Sequence, residues 1–235
     1  MIFKNPNLIC ATSKRPQNMS LSYGNTKESL SNRKKFLNSL GIDYQSLVCA
    51  KQSHSDNVRY AQEADRGKGA LTYETALSDT DALITNKKDL ALAVFTADCL
   101  SIFLYDPKTS SIGLVHAGWR GSLKGVTAKT VSAMRERFKA DPQNLYAGLG
   151  PLIRSCCYEV RGDFMGLFPD DLLLRDKRYY LDLISVNKKQ LLGSGVREEN
   201  ISDRAICTSC RNKEYFSNRR EGNAAGRMIS VIMLK

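Results

Sequence analysis

Histidine is scarce in this chain, with two residues among 235. Any imidazole chemistry must therefore run through His54 and His116. Long apolar runs are also missing. The longest, Leu90 to Phe95, is far too short to cross a bilayer, so no membrane association is expected. The opening Met1-Ile2-Phe3-Lys4-Asn5-Pro6 has no apolar h-region, so secretion is not expected. Repeats, low-complexity tracts and linkers are absent, which points to a single domain over 1–235. No nucleic-acid-binding module is visible, although the net charge is +11. The basic residues fall in short clusters such as Arg33-Lys34-Lys35, Lys87-Lys88 and Arg219-Arg220, which suit solvated faces or phosphate-sized pockets.

Cysteine is present in an odd number, seven, with irregular spacing. Without a secretory leader these read as reduced thiols, and a cytoplasmic location is expected. Cys207-Thr208-Ser209-Cys210 is a single CxxC. A structural zinc site needs a second such pair, and the sequence has none. The vicinal Cys156-Cys157 suggests no role by itself.

The hydrophobic content of 42% and charge of 25% are those of an ordinary globular protein with a real core. Strands are expected at Leu8 to Thr12, Ser46 to Lys51, Leu90 to Thr96, Leu100 to Tyr105, Ser111 to His116, Tyr146 to Leu149 and Met228 to Leu234. Asn25 through Leu40 reads as a helix, with Asn25 as N-cap, Glu28 at N3 and Gly41 as the stop. Ser122 can cap a long helix to Lys139, stopped by Asp141-Pro142. Asp182 to Leu192 is another helix, closed by Gly193. Strands and helices interleave, so the class is α/β or α+β with mixed sheets.

The chemistry-bearing residues cluster at strand ends. His54 stands in Gln52-Ser53-His54-Ser55-Asp56, and Cys99 closes Thr96-Ala97-Asp98-Cys99. His116 opens His116-Ala117-Gly118-Trp119-Arg120-Gly121. Two imidazoles and a thiolate make the three-ligand set of a catalytic zinc site, with the fourth position open. The same set matches a blue-copper site. Cys99 as nucleophile with His116 as base would instead make a thiol hydrolase. Asp98 could accept a proton, orient an imidazole or cap a turn. Arg120 can hold phosphate or carboxylate bidentately, beside the donors of a helix N-terminus. Trp119 could stack on a base or fill core.

Taken together, these segments resemble the YfiH-type family of laccase-domain proteins, known as multicopper polyphenol oxidases and as purine nucleoside phosphorylases. The likeness runs through Asn18-Met19-Ser20-Leu21-Ser22-Tyr23-Gly24, Asn32-Arg33, Gln52-Ser53-His54, Asp79-Thr80-Asp81-Ala82, the Cys99 and His116 segments, and Gly150-Pro151 through Val160. It ends with Ser217-Asn218-Arg219-Arg220-Glu221-Gly222 and Gly226-Arg227. Ser53 stands where the family usually has Val, Ser55 where Gly is common, and Ser101 where Pro is usual.

The resemblance implies a four-layer α/β/β/α sandwich, shared with cysteine deamidase-like toxins. It implies zinc on His54, Cys99 and His116, with copper as the alternative metal. It implies phosphorolysis of adenosine, inosine and methylthioadenosine, with adenosine deamination as a second activity. Cys99, His116, Arg120 and Asp98 are then the expected catalytic residues, and Asn18, Arg33 and Arg120 the expected substrate-binding ones. Purine nucleosides and phosphate are the expected partners, and both a monomer and a homodimer remain open.

Overall fold

The structure is a computed structural model and describes residues 5–235. In chain order the strands are β1 (Leu8–Thr12), β2 (Leu47–Cys49), β3 (Val58–Tyr60), β4 (Ala82–Thr85), β5 (Ala91–Thr96), β6 (Leu100–Asp106), β7 (Ser111–Ala117), β8 (Tyr146–Leu149), β9 (Glu159–Val160), β10 (Leu172–Arg175), β11 (Arg178–Leu181), β12 (Ile201–Asp203) and β13 (Met228–Leu234). The helices are α1 (Thr26–Ser39), α2 (Trp119–Leu123), α3 (Val126–Phe138), α4 (Leu183–Gly193) and the single turn α5 (Asn218–Glu221).

Two large sheets carry the fold. One has the order β1-β13-β5-β2 and the other β12-β8-β6-β7-β4-β3, both with parallel and antiparallel pairs. Strands β5, β6 and β7 are almost continuously apolar and buried, as strands covered on both faces must be. Val48, Leu92 and Ile232 of the first sheet meet Leu83, Phe103 and Leu114 of the second in a core between the sheets. Leu37 of α1 packs on the outer face of the first sheet with Leu47 and Val231. Val131 and Met134 of α3 and Leu191 of α4 pack on the outer face of the second with Ile102, Leu104 and Val115. The layers therefore run α, β, β, α, as the resemblance implied.

Local signals account for most of the element boundaries. Asn25 caps α1 by accepting from the Glu28 amide at 3.2 Å. Asp182 caps α4 through the amides of Ile184 and Ser185 at 3.0 and 3.1 Å. The helix expected from Ser122 to Lys139 is two helices. Gly118 opens α2, and Gly125 at φ +82° breaks the chain before α3. That left-handed conformation is cheap for glycine and ends a helix. Strands β3, β4 and β9 to β12 lie outside the expected set. Most are three or four residues long and lack alternation, so neighbouring strands rather than local pattern decide them.

Candidate metal centre and cleft

The register of the second sheet assembles the centre. Leu100 pairs with Ala117 and Ser101 with His116, so Cys99, one residue before β6, arrives beside the end of β7. β4 pairs antiparallel with β7, and the His116 amide donates to the Asp81 carbonyl at 2.7 Å. The His54 loop is brought in separately. The Gln52 amide pairs with the Phe95 backbone in both directions at 2.8 Å, which fastens the loop to β5.

His54, Cys99 and His116 converge, with their ligand atoms all within 4.8 Å of one another. His54 Nε2 lies 3.8 Å from Cys99 Sγ, and the two imidazoles meet edge-on with centroids 4.9 Å apart. A tetrahedral ion bonded to nitrogen at about 2.0–2.1 Å and to sulfur at about 2.3 Å would separate such donors by about 3.6 Å. The donor set therefore fits a metal. Gly118 makes room for it: a Cβ there would lie 2.8 Å from His54 Cδ2 and 3.1 Å from Cys99 Sγ.

Asp81 organises the centre from behind. It is fully buried, and its Oδ1 accepts from His116 Nδ1 at 2.7 Å and from the His54 amide at 3.1 Å. Its Oδ2 accepts from the Ser53 amide at 3.1 Å and from the Ser55 amide and hydroxyl, each at 2.7 Å. Ser53 and Ser55, two of the three serines that depart from the family pattern, thus supply donors to this carboxylate. Burial alone would raise the Asp81 pKa, but the hydrogen bond and charge of His116 hold it well below the usual carboxylate range. With Nδ1 engaged by Asp81, Nε2 is the ring nitrogen of His116 left for a metal. Burial likewise opposes the Cys99 thiolate, yet His116 and His54 outweigh it and bring the thiol down. His116 moves up in turn, against its own burial, through Cys99 and Asp81.

His54 adopts φ +59° and Asp98 φ +88°, unusual values outside glycine. Such strain persists where surrounding bonds over-determine it. Asp98 is held by Thr208 Oγ1 at 2.6 Å, the Arg219 amide at 2.6 Å and Ser217 Oγ at 3.1 Å. It therefore fastens the C-terminal segment to the site, while Asp81 takes the expected place beside the imidazole.

The three donors sit on the wall of a cleft of about 640 Å³ that Tyr73, Phe95, Trp119, Tyr158, Arg219 and Arg227 also line. Thr96, on the same wall, carries a buried hydroxyl with no hydrogen-bond partner among the described residues. Arg120 lies elsewhere than expected. It is exposed and rests on Trp119 with 4.4 Å to the ring centroid; it is not part of the cleft wall, although its charge acts on Tyr158, which is. Asn18 also stays outside the cleft. Its amide donates to the Tyr23 carbonyl at 2.6 Å and accepts from the amides of Ser20 and Arg227, fixing a loop rather than meeting solvent. Arg33 lines the cleft, but its guanidinium is engaged by the carbonyls of Met19, Gly69 and Ala70.

Sequence reasoning left Asp81, Tyr158, Arg219 and Arg227 out of the site. Each lies in a segment already noted for the resemblance, so the segments were visible while the side chains facing inward were not.

Residues 11–235 match the multi-copper polyphenol oxidoreductase laccase family. The chain belongs to that family. It is 37% identical over 212 residues to the purine nucleoside phosphorylase YlmD of Bacillus subtilis, covering 87% of this chain and 76% of that protein. It is 33% identical over 205 residues to the adenosine deaminase RL5 of an unknown prokaryotic organism, covering 83% of this chain and 78% of that protein. Among solved structures it is similar to the Bacillus licheniformis hypothetical protein YfiH, with a TM-score of 0.93 and 32% identity over 97% of this chain and 93% of that one. YlmD from Geobacillus stearothermophilus gives a TM-score of 0.92 and 30% identity over 98% and 93%. As a member of this laccase family the protein is an enzyme whose relatives carry phosphorylase and deaminase names. No described helix is long and apolar enough to cross a membrane.

Proposed function

We propose that this protein is a purine nucleoside phosphorylase acting on adenosine, inosine and methylthioadenosine, with adenosine deamination as a second activity of the same cleft. The observation that carries the reading is a cleft joining the His54–Cys99–His116 centre to aromatic walls and to the side chains of Arg33, Arg219 and Arg227. The names of the similar proteins support it.

In phosphorolysis a phosphate oxygen attacks C1′ of the ribose as the bond to the purine nitrogen breaks. The products are ribose 1-phosphate and the free base, which takes up a proton. Arg219 is the cleft's candidate for phosphate, as a planar fork suited to bidentate anion binding, with Arg227 adding charge beside it while the Ala225 and Gly226 carbonyls hold its Nη1. Tyr23, Phe95 and Tyr158 give the purine an aromatic wall, with Arg227, Arg33 and Arg219 respectively over their rings. The Tyr158 phenol is pushed up by burial and by the charges of Cys99 and Asp98, so it stays protonated and can give the departing base a hydrogen bond.

His54, Cys99 and His116 would hold zinc, with Asp81 orienting His116. Zinc on three protein ligands supplies Lewis acidity and lowers the pKa of a water at its open position to about 7. Deamination needs that chemistry: water adds at the purine C6 and ammonia leaves, converting adenosine to inosine. Copper oxidase chemistry is disfavoured, because both histidines of the chain are spent on one centre and no imidazole is left for an oxygen-reducing cluster.

The test is to incubate purified protein with inosine, with and without phosphate, and measure hypoxanthine and ribose 1-phosphate separately. Both products are expected in equal amounts and only with phosphate. Hypoxanthine released at the same rate without phosphate would refute the phosphorylase reading.

A further inference from the structure

We infer that Cys156, Cys157, Cys207 and Cys210 form a second metal site, a closed tetrathiolate zinc centre separate from the cleft. The four sulfurs lie within 4.8 Å of one another. Cys210 Sγ is 3.5 Å from Cys156 Sγ and 3.4 Å from Cys157 Sγ. The edge of a tetrahedron of sulfurs around zinc is about 3.8 Å for bonds of about 2.3 Å, so shifts of a few tenths of an ångström at the two short pairs, and at most about 1 Å at the others, bring the four sulfurs onto an ion. Cys210 stands almost equally far from two thiols, which suits a shared ion better than one disulfide. All four are free cysteines.

The apolar core does not account for this cluster. Cys156 and Cys210 are exposed and Cys157 is half-buried, whereas a free cysteine packed as a hydrophobe is normally buried. The backbone is already shaped to present the sulfurs. Leu152 and Cys207 form a parallel bridge, with the Thr208 amide donating to the Leu152 carbonyl at 2.8 Å. The Arg154 amide points at Cys207 Sγ at 3.5 Å, the kind of donor that a metal-bound thiolate uses to spread its charge. Four thiolates on one divalent ion leave a net charge of minus two, and guanidinium groups stand close by. Arg175 donates to the Ser155 carbonyl, and Arg220 Nε donates to the Ser209 carbonyl at 3.2 Å.

Loading the site releases four thiol protons for one zinc ion and involves no oxidation. Four protein ligands leave no open position, so the centre is structural. It ties two segments that border the cleft. One carries Ile153 and Tyr158; the other carries Thr208 and Ser217, which hold Asp98, and then Arg219. The zinc centre would therefore fix the cleft rim, whatever reaction the cleft performs.

Metal analysis of the full chain, purified under reducing conditions with zinc, tests this. About two zinc ions per chain are expected. Cys207→Ser with Cys210→Ser should hold one, and His54→Ala with Cys99→Ala should also hold one, so the two sites fail independently. With cobalt in place of zinc, the intense thiolate-to-metal absorption should fall away mainly in the Cys207/Cys210 variant. A measurement without variants guards against misfolding. Iodoacetamide should modify the exposed Cys156 and Cys210 slowly in zinc-loaded wild-type protein and quickly after chelation. Equal rates in the two states would overturn the proposal. So would a mass lower by two hydrogens with a mapped disulfide at Cys210, or a brown iron–sulfur chromophore.

Discussion

One Asp81 oxygen binds His116 Nδ1 at 2.7 Å and the His54 backbone amide at 3.1 Å. A single carboxylate thus orients one imidazole and anchors the loop that bears the other. Asp81→Asn removes the charge and offers an amide where an acceptor is needed. Metal affinity should fall roughly 10- to 100-fold, the range seen when a ligand loses its orienting partner. Competition with a chromogenic chelator measures it. Unchanged affinity would show that the carboxylate does not tune the centre.

Gly118→Ala should act through crowding alone. The new methyl would sit 2.8 Å from His54 Cδ2 and 3.1 Å from Cys99 Sγ, so the ring or the thiol must shift. Since φ is −76°, the backbone tolerates alanine. Metal occupancy and both purine activities should drop at least tenfold, because catalysis depends on placement finer than an ångström. The far-ultraviolet circular dichroism spectrum should stay that of wild type.

Arg219→Lys should separate the two activities. A point charge replaces a bidentate fork, and the loss of one charge-assisted hydrogen bond is worth roughly tenfold. The KM for phosphate in inosine phosphorolysis should rise by about that factor, while adenosine deamination, which uses no phosphate, keeps its rate. A parallel loss of both would point to a change in the cleft's shape instead. Arg120→Lys, outside the cleft, should leave the phosphate KM unmoved.

Metal removal distinguishes the zinc reading from a Cys99 nucleophile. Dialysis against a chelator should abolish deamination, and stoichiometric zinc should restore it. A thiol hydrolase would keep its activity without metal and lose it to alkylation of Cys99.

Stability should fall on the alkaline side. Burial pushes the Cys49 thiol up to about 11, against the pull of Arg33. An unfolded thiol titrates near 8.5. The folded form is then the better proton binder between these values. Its advantage is fully present below about pH 8.5 and is lost as pH rises through about 11, a change of roughly 3 kcal/mol. Cys49→Ala should flatten that limb in urea titrations at pH 8 to 11, with some slope remaining from Cys10, whose thiol burial also raises. An equally steep limb would place the effect elsewhere.

Local sequence determined a good part of this protein. The strand from Leu8 to Thr12 and that from Met228 to Leu234 follow from apolar patterning. The α1 and α4 starts follow from Asn25 and Asp182, because capping is settled within four residues. His54, Cys99 and His116 stood out as ligand types at strand ends and a loop. What only the tertiary structure decided is which groups meet. Asp81 reaches His116 through the β4–β7 register, and Arg120 ends exposed on α2, resting on Trp119. Cys156 and Cys157 meet the CxxC of Cys207 and Cys210 across about fifty residues of chain, supplying the second pair that no local spacing reveals. Capping and alternation are short-range preferences of the backbone. Convergence of side chains depends on register and packing between segments far apart in the chain, and neither is written at any one position.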